Sequence, residues 1–379
     1  MKTNTSYLVR LVTIASVIYL SNSAGCKDKN TTSLQPNCIQ LPGNACRYFL
    51  GVNYPWLNYG HDFGTTAWGH DGASTDESSK KIDADFAYFK SQGVHVLRWF
   101  LFGDCRAAPE FDANGNVIGF DKYFFPDLDT ALAIAGKHDI YLVLVLFDFH
   151  LADKGEKVNG VYIGGRSLVI AHPATRESFL NNALKPLLER YAKSRNIIAW
   201  EVMNEPEGAM TIRGGNWAAE SVSAPTMQSF VNDVVGYIHT YSSQHATLGS
   251  ASRRWLDYWT NSKLDFYQYH YYDKLEKDHP LDHPCAKLKL DKPCILGEFP
   301  TRNTKRTMTE YLDTIYNNDH AGALAWSYRA SDEVSDFKGS ADEFAIWSKA
   351  HEAEVIIDLK ASTHDRADAD TKPGKSISR

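Results

Sequence analysis

The chain has 379 residues, 43% of them apolar and 23% charged, with a formal net charge of −6. That length allows one large domain or two ordinary ones with a full hydrophobic core, and the acidic balance argues against nucleic acid as the main partner. Nine Trp and twenty Tyr offer flat faces of the kind sugar rings stack on, although most of them are expected to fill the core.

At the N-terminus, Lys2 and Arg10 precede an apolar run from Leu11 to Leu20, followed by small residues. This pattern predicts a secretory signal peptide over 1–24, cleaved near Ala24. The run is too short to span a bilayer, so the mature protein is expected to be exported, extracellular, soluble and free of membrane partners. Residues 25–46 form an extension carrying Cys26, Cys38 and Cys46; Cys105, Cys285 and Cys294 lie further on. In an oxidising compartment six cysteines read as disulfides. Cys285 and Cys294 close a short loop and are the favoured pair. One of the early cysteines is a possible partner for Cys105. No CxxC or HExxH spacing supports a metal site, and Asn30-Thr31-Thr32 is a glycan acceptor sequence.

From Cys46 onward, strand-like and helix-like patterns alternate. "RYFLGVNY" (47–54) is a strand. Ser74 and Glu77 have capping-box spacing ahead of Ile82, Phe86 and Phe89, and Gly93 ends that helix. "VHVLRWF" (94–100) is the second strand, 125–138 a helix, and "IYLVLVLF" (140–147) a strand buried on both faces. A helix over 174–193 leads to "IIAWEVMNEPEG" (197–208), an apolar strand that breaks at Asn204-Glu205-Pro206. A helix starting at Ser223 and Pro225 follows, then strands over 246–251 and 264–272 separated by short links. "PCILGEF" (293–299), a helix over 304–318, "GALAWSY" (322–328) and a helix near 340–350 complete the series. Residues 357–379 are polar and read as a disordered tail. Eight βα repeats across 47–356 predict an α/β fold, a single-domain (β/α)8 TIM barrel. A doubly wound open sheet is the alternative, but no Gly-rich phosphate turn follows the first strand.

The strands of such a barrel open at their C-terminal ends onto one face. Those ends carry Asn53 and Trp56, Arg98 and Trp99, Asp148 and His150, Asn204 and Glu205, His270 and Tyr272, Glu298, and Trp326. Glu205 and Glu298, on strands four and seven, supply the two opposed carboxyls that glycoside hydrolysis requires. Their surroundings must separate their pKa values, and Arg98 is suited to holding one of them ionised.

"NEP" after a fourth strand and "GEF" after a seventh resemble glycoside hydrolase family 5 over roughly residues 46–351. The resemblance implies a retaining mechanism with Glu205 as acid/base and Glu298 as nucleophile. It also implies that Arg98 supports the nucleophile, that Asn204 holds a sugar 2-hydroxyl, that His270 and Tyr272 match a His-x-Tyr pair, and that Trp326 is a sugar platform. His150 matches more loosely. "GVNYPW", "LRWF" and "LGEFP" resemble the endo-β-1,4-mannanases of molluscs and small arthropods. The implied partner is a plant β-mannan, cleaved by a monomer with no metal or organic cofactor. A β-1,4-glucanase and an inactive carbohydrate-binding barrel are the alternatives.

Asn53, Trp56, Trp99, Trp217, Trp255 and Trp259 are further candidates for lining sugar subsites. "DANGNVIGFD" (112–121) departs from a calcium loop at Val117 and reads as a hairpin turning at Asn114-Gly115. Glu201 is expected in a structural ion pair, and Glu207 in a solvent-facing loop.

Overall fold

The computed structural model describes residues 37–42 and 45–359. The signal peptide, Cys26, the Asn30 acceptor and the tail beyond 359 lie outside the described residues. Eight parallel strands close into a ring: β1 (Phe49–Asn53), β2 (Val96–Phe100), β3 (Tyr141–Asp148), β4 (Ile197–Asn204), β5 (His245–Ser250), β6 (Tyr267–His270), β7 (Cys294–Pro300) and β8 (Gly322–Trp326). Each pairs with its neighbour in sequence, and β8 pairs with β1, Gly322 opposite Phe49. The fold is therefore the (β/α)8 barrel that the alternation predicts.

The major helices cover the outside: α1 (Asp76–Ser91), α2 (Phe124–Lys137), α3 (Pro173–Phe179) running through a π turn into α4 (Lys185–Tyr191), α5 (Ala224–Tyr241), α6 (Met308–Asn317) and α7 (Phe337–Ala350). The links after β5 and β6 carry only short 3-10 turns, Arg253–Tyr258 and Cys285–Leu288. The cap of α1 differs by one residue from expectation. Thr75, not Ser74, accepts from the Ser78 amide, while Ser74 donates to Asp127 and Glu77 pairs with Lys81.

Strand side chains alternate between the ring's interior and the helix layer. Leu50, Val52, Leu97, Trp99, Leu142 and Leu144 join the strand–helix core. Phe49, Val96, Tyr141, Val143, Phe266, Ile295 and Leu324 form a second cluster with Ile39, Leu41, Ile357 and Leu359. Ile357 and Leu359 thus correct the proposed tail boundary. They are buried, because Val355, Ile357 and Leu359 alternate with the exposed Ile356 and Asp358 and keep one apolar face on the barrel.

The cysteines also depart from expectation. Cys38 and Cys46 form a disulfide across the two-stranded ribbon Ile39–Gln40 and Cys46–Arg47. Cys105, Cys285 and Cys294 are buried free thiols. The Cys294 thiol does lie against Cys285, the pair favoured from the sequence, but the two form no bridge. The 112–121 segment is a hairpin, Glu110–Phe111 pairing with Val117–Gly119. Asp112 accepts from the amides of Asn114 and Asn116 to fix its turn.

Candidate active site

A buried guanidinium organises the top of the barrel. Arg98 is fully buried and uses all five N–H donors of its planar group. Nε and one terminal nitrogen grip Glu201 at 2.7 and 2.6 Å. The remaining donors reach Asn53 Oδ1 at 2.9 Å, Glu298 Oε1 at 2.7 Å and Asn204 Oδ1 at 2.7 Å. Glu201, itself fully buried and also held by Gln268, is the structural counterion expected of it. Gly249 makes room for this pair, since a Cβ there would sit 2.4 Å from Glu201 Oε1.

Above that layer, a carboxylate oxygen of Glu205, one of Glu298 and a ring nitrogen of His270 all lie within 4.8 Å of one another. This is well short of the ~6.5–9.5 Å that leaves room for a water between inverting carboxyls. The two glutamates have different partners. Glu298 accepts from Arg98 and, at 2.6 Å, from the Tyr272 hydroxyl. Glu205 is hydrogen-bonded to His270 Nδ1 at 2.8 Å. Burial pushes the Glu205 carboxyl up to about 7, against the pull of Arg98 and His150. Burial also raises Glu298, but His270, Arg98 and the Tyr272 hydrogen bond oppose it. Burial lowers His270 to about 4 despite Glu298, so its ring is neutral at working pH. The arrangement keeps a proton on Glu205 while supplying Glu298 with donors that favour its anion.

Both carboxyls open into a cleft of about 670 Å³. Trp56, Tyr59, Phe149, His150, Asn204, Trp217, Trp255, Tyr272 and Trp326 line it, with Arg254, Glu276 and Asp332 from the loops. Trp326 donates to Asp332 and meets Trp56 edge-on at 6.2 Å. His150 pairs with Asp153 at 2.6 Å; burial works against its charge, but Asp148 and Asp153 outweigh that and leave its pKa above the ordinary value.

Several expected cleft residues lie elsewhere. Trp99 is fully buried on the helix side of β2, donating to Asp62 and packed on Tyr54 and Phe63. Consecutive strand residues face opposite ways, so Arg98 inside forces Trp99 outside. Trp259 is likewise buried. Asn53, Arg98 and His270 are fully buried and sit beneath the cleft floor, where Asn53 also donates to Gly297 O at 2.9 Å. Glu207, expected in solvent, is fully buried. The 3-10 turn Pro206–Ala209 folds it back beside β5, where it meets Ser250, Ala251 and Trp259. Tyr59, Phe149, Arg254, Glu276 and Asp332 come from loops and short 3-10 turns and carry no periodic signal by which sequence reading finds them.

Residues 59–332 match the family profile Cellulase (glycosyl hydrolase family 5). The mannan endo-1,4-beta-mannosidase of Mytilus edulis is 26% identical over 365 residues, covering 84% of this chain and 92% of the mussel protein. That of Cryptopygus antarcticus is 25% identical, covering 76% and 82%. Among solved structures, the endo-1,4-beta-mannanase of Eisenia fetida superposes with a TM-score of 0.70 at 24% identity, covering 82% of this chain and 94% of that one.

Proposed function

This chain belongs to glycosyl hydrolase family 5, and from that premise we propose that it is a secreted, monomeric, retaining endo-β-1,4-mannanase acting on mannan, glucomannan or galactomannan. The observation that carries the reading is the placement of Glu205 and Glu298 side by side at the floor of an open cleft, with unlike hydrogen-bond partners. The choice of mannan rests on relatives that bear that activity in their names and align along most of their length.

The mechanism follows from the partners. The Glu298 carboxylate attacks the anomeric carbon from one side of the sugar ring. Glu205 gives its proton to the glycosidic oxygen, and that C–O bond breaks. Arg98 and the Tyr272 hydroxyl hold Glu298 in line and set its charge. Once Glu298 is esterified its negative charge is gone, the Glu205 pKa drops, and Glu205 takes a proton from water. The resulting hydroxide equivalent attacks the same carbon, releases Glu298 and returns the sugar with its original β configuration. Trp326 and Trp56, both in the cleft lining, supply aromatic surface on which sugar rings stack.

Reducing-sugar release from galactomannan beside carboxymethylcellulose tests the substrate. Turnover on galactomannan alone supports the reading, and turnover on carboxymethylcellulose alone replaces it with the glucanase. Proton NMR of the first-formed products tests retention, since an initial α-anomer overturns the mechanism.

A further inference from the structure

We propose that Glu207 is a positioning residue for Glu205: its buried carboxylate ties the turn that carries the acid/base to the tip of β5. This inference rests on the role given to Glu205 above.

Glu207 is fully buried and makes no ion pair among the described residues. Its Oε1 lies 2.7 Å from Ser250 Oγ and 2.8 Å from Trp259 Nε1, and its Oε2 accepts from the Ala251 amide at 3.0 Å. Burying a carboxylate without a cation is costly, and burial raises its pKa to about 7. A packing role alone is met more cheaply by an apolar side chain. What the carboxylate adds is directional acceptors for donors on β5 and the turn that follows.

Those donors matter because of what lies two residues away. Glu205 has φ 46° and ψ 53°, the left-handed region, which brings the Cβ of a non-glycine residue too close to its carbonyl oxygen. Such a conformation persists only where its surroundings over-determine it. Two anchors on β5 do so here. The Glu205 amide donates to Gly249 O at 2.7 Å, and Glu207 grips Ser250 and Ala251 just beyond. Between these anchors the chain turns sharply, with Gly208 N donating back to Glu205 O at 2.9 Å. The Glu205 carboxyl is thereby aimed at His270 and the cleft. Release of the second anchor lets the backbone of Glu205 relax and swings its carboxyl away from the glycosidic oxygen. A displacement near 1 Å is enough for losses of about 100-fold.

Glu207→Gln keeps the shape but sets an amide NH2 against one of the donors. The test compares kcat/KM on aryl β-mannobiosides, which reports bond cleavage alone. A phenyl leaving group needs a proton from Glu205, whereas a dinitrophenyl leaving group departs without one. Expected for Glu207→Gln is a loss of roughly 10- to 100-fold on the phenyl substrate and of less than about 3-fold on the dinitrophenyl substrate. Trp259→Phe removes one donor from the side away from the cleft, and a smaller loss with the same selectivity is expected; it decides the matter if Glu207→Gln does not fold. Equal losses on both substrates mean general damage and overturn the proposal, as does wild-type behaviour in a folded variant. Should the wild-type enzyme cleave only aryl β-cellobiosides, the mannanase reading fails instead, and the same leaving-group comparison is made on those.

Discussion

Replacing Tyr272 with Phe isolates one force on the nucleophile. The ring and its packing stay, and only the O–H···O contact of 2.6 Å to Glu298 Oε2 is lost. A hydrogen bond to an ionised acceptor contributes ~1.5–3 kcal/mol, and one pKa unit corresponds to ~1.4 kcal/mol. Losing a donor that favours the anion therefore raises the Glu298 pKa by about 1–2 units. Arg98 still holds Oε1, so the variant should fold, with Tm changed by only a few degrees. The assay is the pH dependence of kcat/KM on an aryl β-mannobioside, whose acid limb reports ionisation of the nucleophile in the free enzyme. That limb should move to higher pH by about 1–2 units. The plateau rate should change less, because a more basic carboxylate is also a better nucleophile. An acid limb that stays in place, or moves down, refutes the assignment of Tyr272 as the group that tunes Glu298.

Glu298→Ala and Glu205→Ala should each lower kcat/KM on mannan by several powers of ten. With azide and a dinitrophenyl substrate, the first should yield an α-mannosyl azide and the second a β-mannosyl azide; the opposite pairing, read by NMR, reverses the two roles. Glu205→Gln should be more stable than wild type at pH 8. Folding raises the Glu205 pKa to about 7, so the folded state binds this proton more tightly than the unfolded state. The stability cost is absent at low pH and grows as pH rises through the window from about 4.5 to 7, reaching ~3 kcal/mol. Calorimetry should show a gain in Tm of ~4 °C at pH 8 that vanishes at pH 4; a uniform gain contradicts the linkage. Cys38→Ser opens a bridge with a sequence separation of 8 residues, for which loop entropy gives ~2.5 kcal/mol and a fall in Tm of ~4 °C, measured in non-reducing buffer.

Much of this site was legible because a closed barrel turns a one-dimensional pattern into a location. A polar residue at the end of an apolar strand, as at Asn204-Glu205 or Glu298, has only one face to reach. The misreadings have specific physical sources. Arg98 and Trp99 were placed together, although neighbours on a strand diverge. Glu207 was read as solvated because charge after a strand usually is, and the hydrogen-bonding partners that hold it lie more than 40 residues further along the chain. Ile357 and Leu359 were hidden in a polar stretch, where only their alternation marked an apolar face. Cys285 and Cys294 were placed side by side correctly, but spacing alone does not decide whether sulfurs bond.

The pairing of β8 with β1 bears on how the molecule is made. Phe49 finds its partner only at Gly322, so the first strand waits for almost the whole polypeptide before one of its edges is covered. At ~5–20 residues per second of synthesis, that interval is at least ~14 s. Nascent chains stopped anywhere short of the last strand present two raw sheet margins to their neighbours, the geometry that seeds aggregation. Truncated forms ending before Trp326 should accumulate as insoluble material, while the full-length product escapes that fate by shutting its own seam.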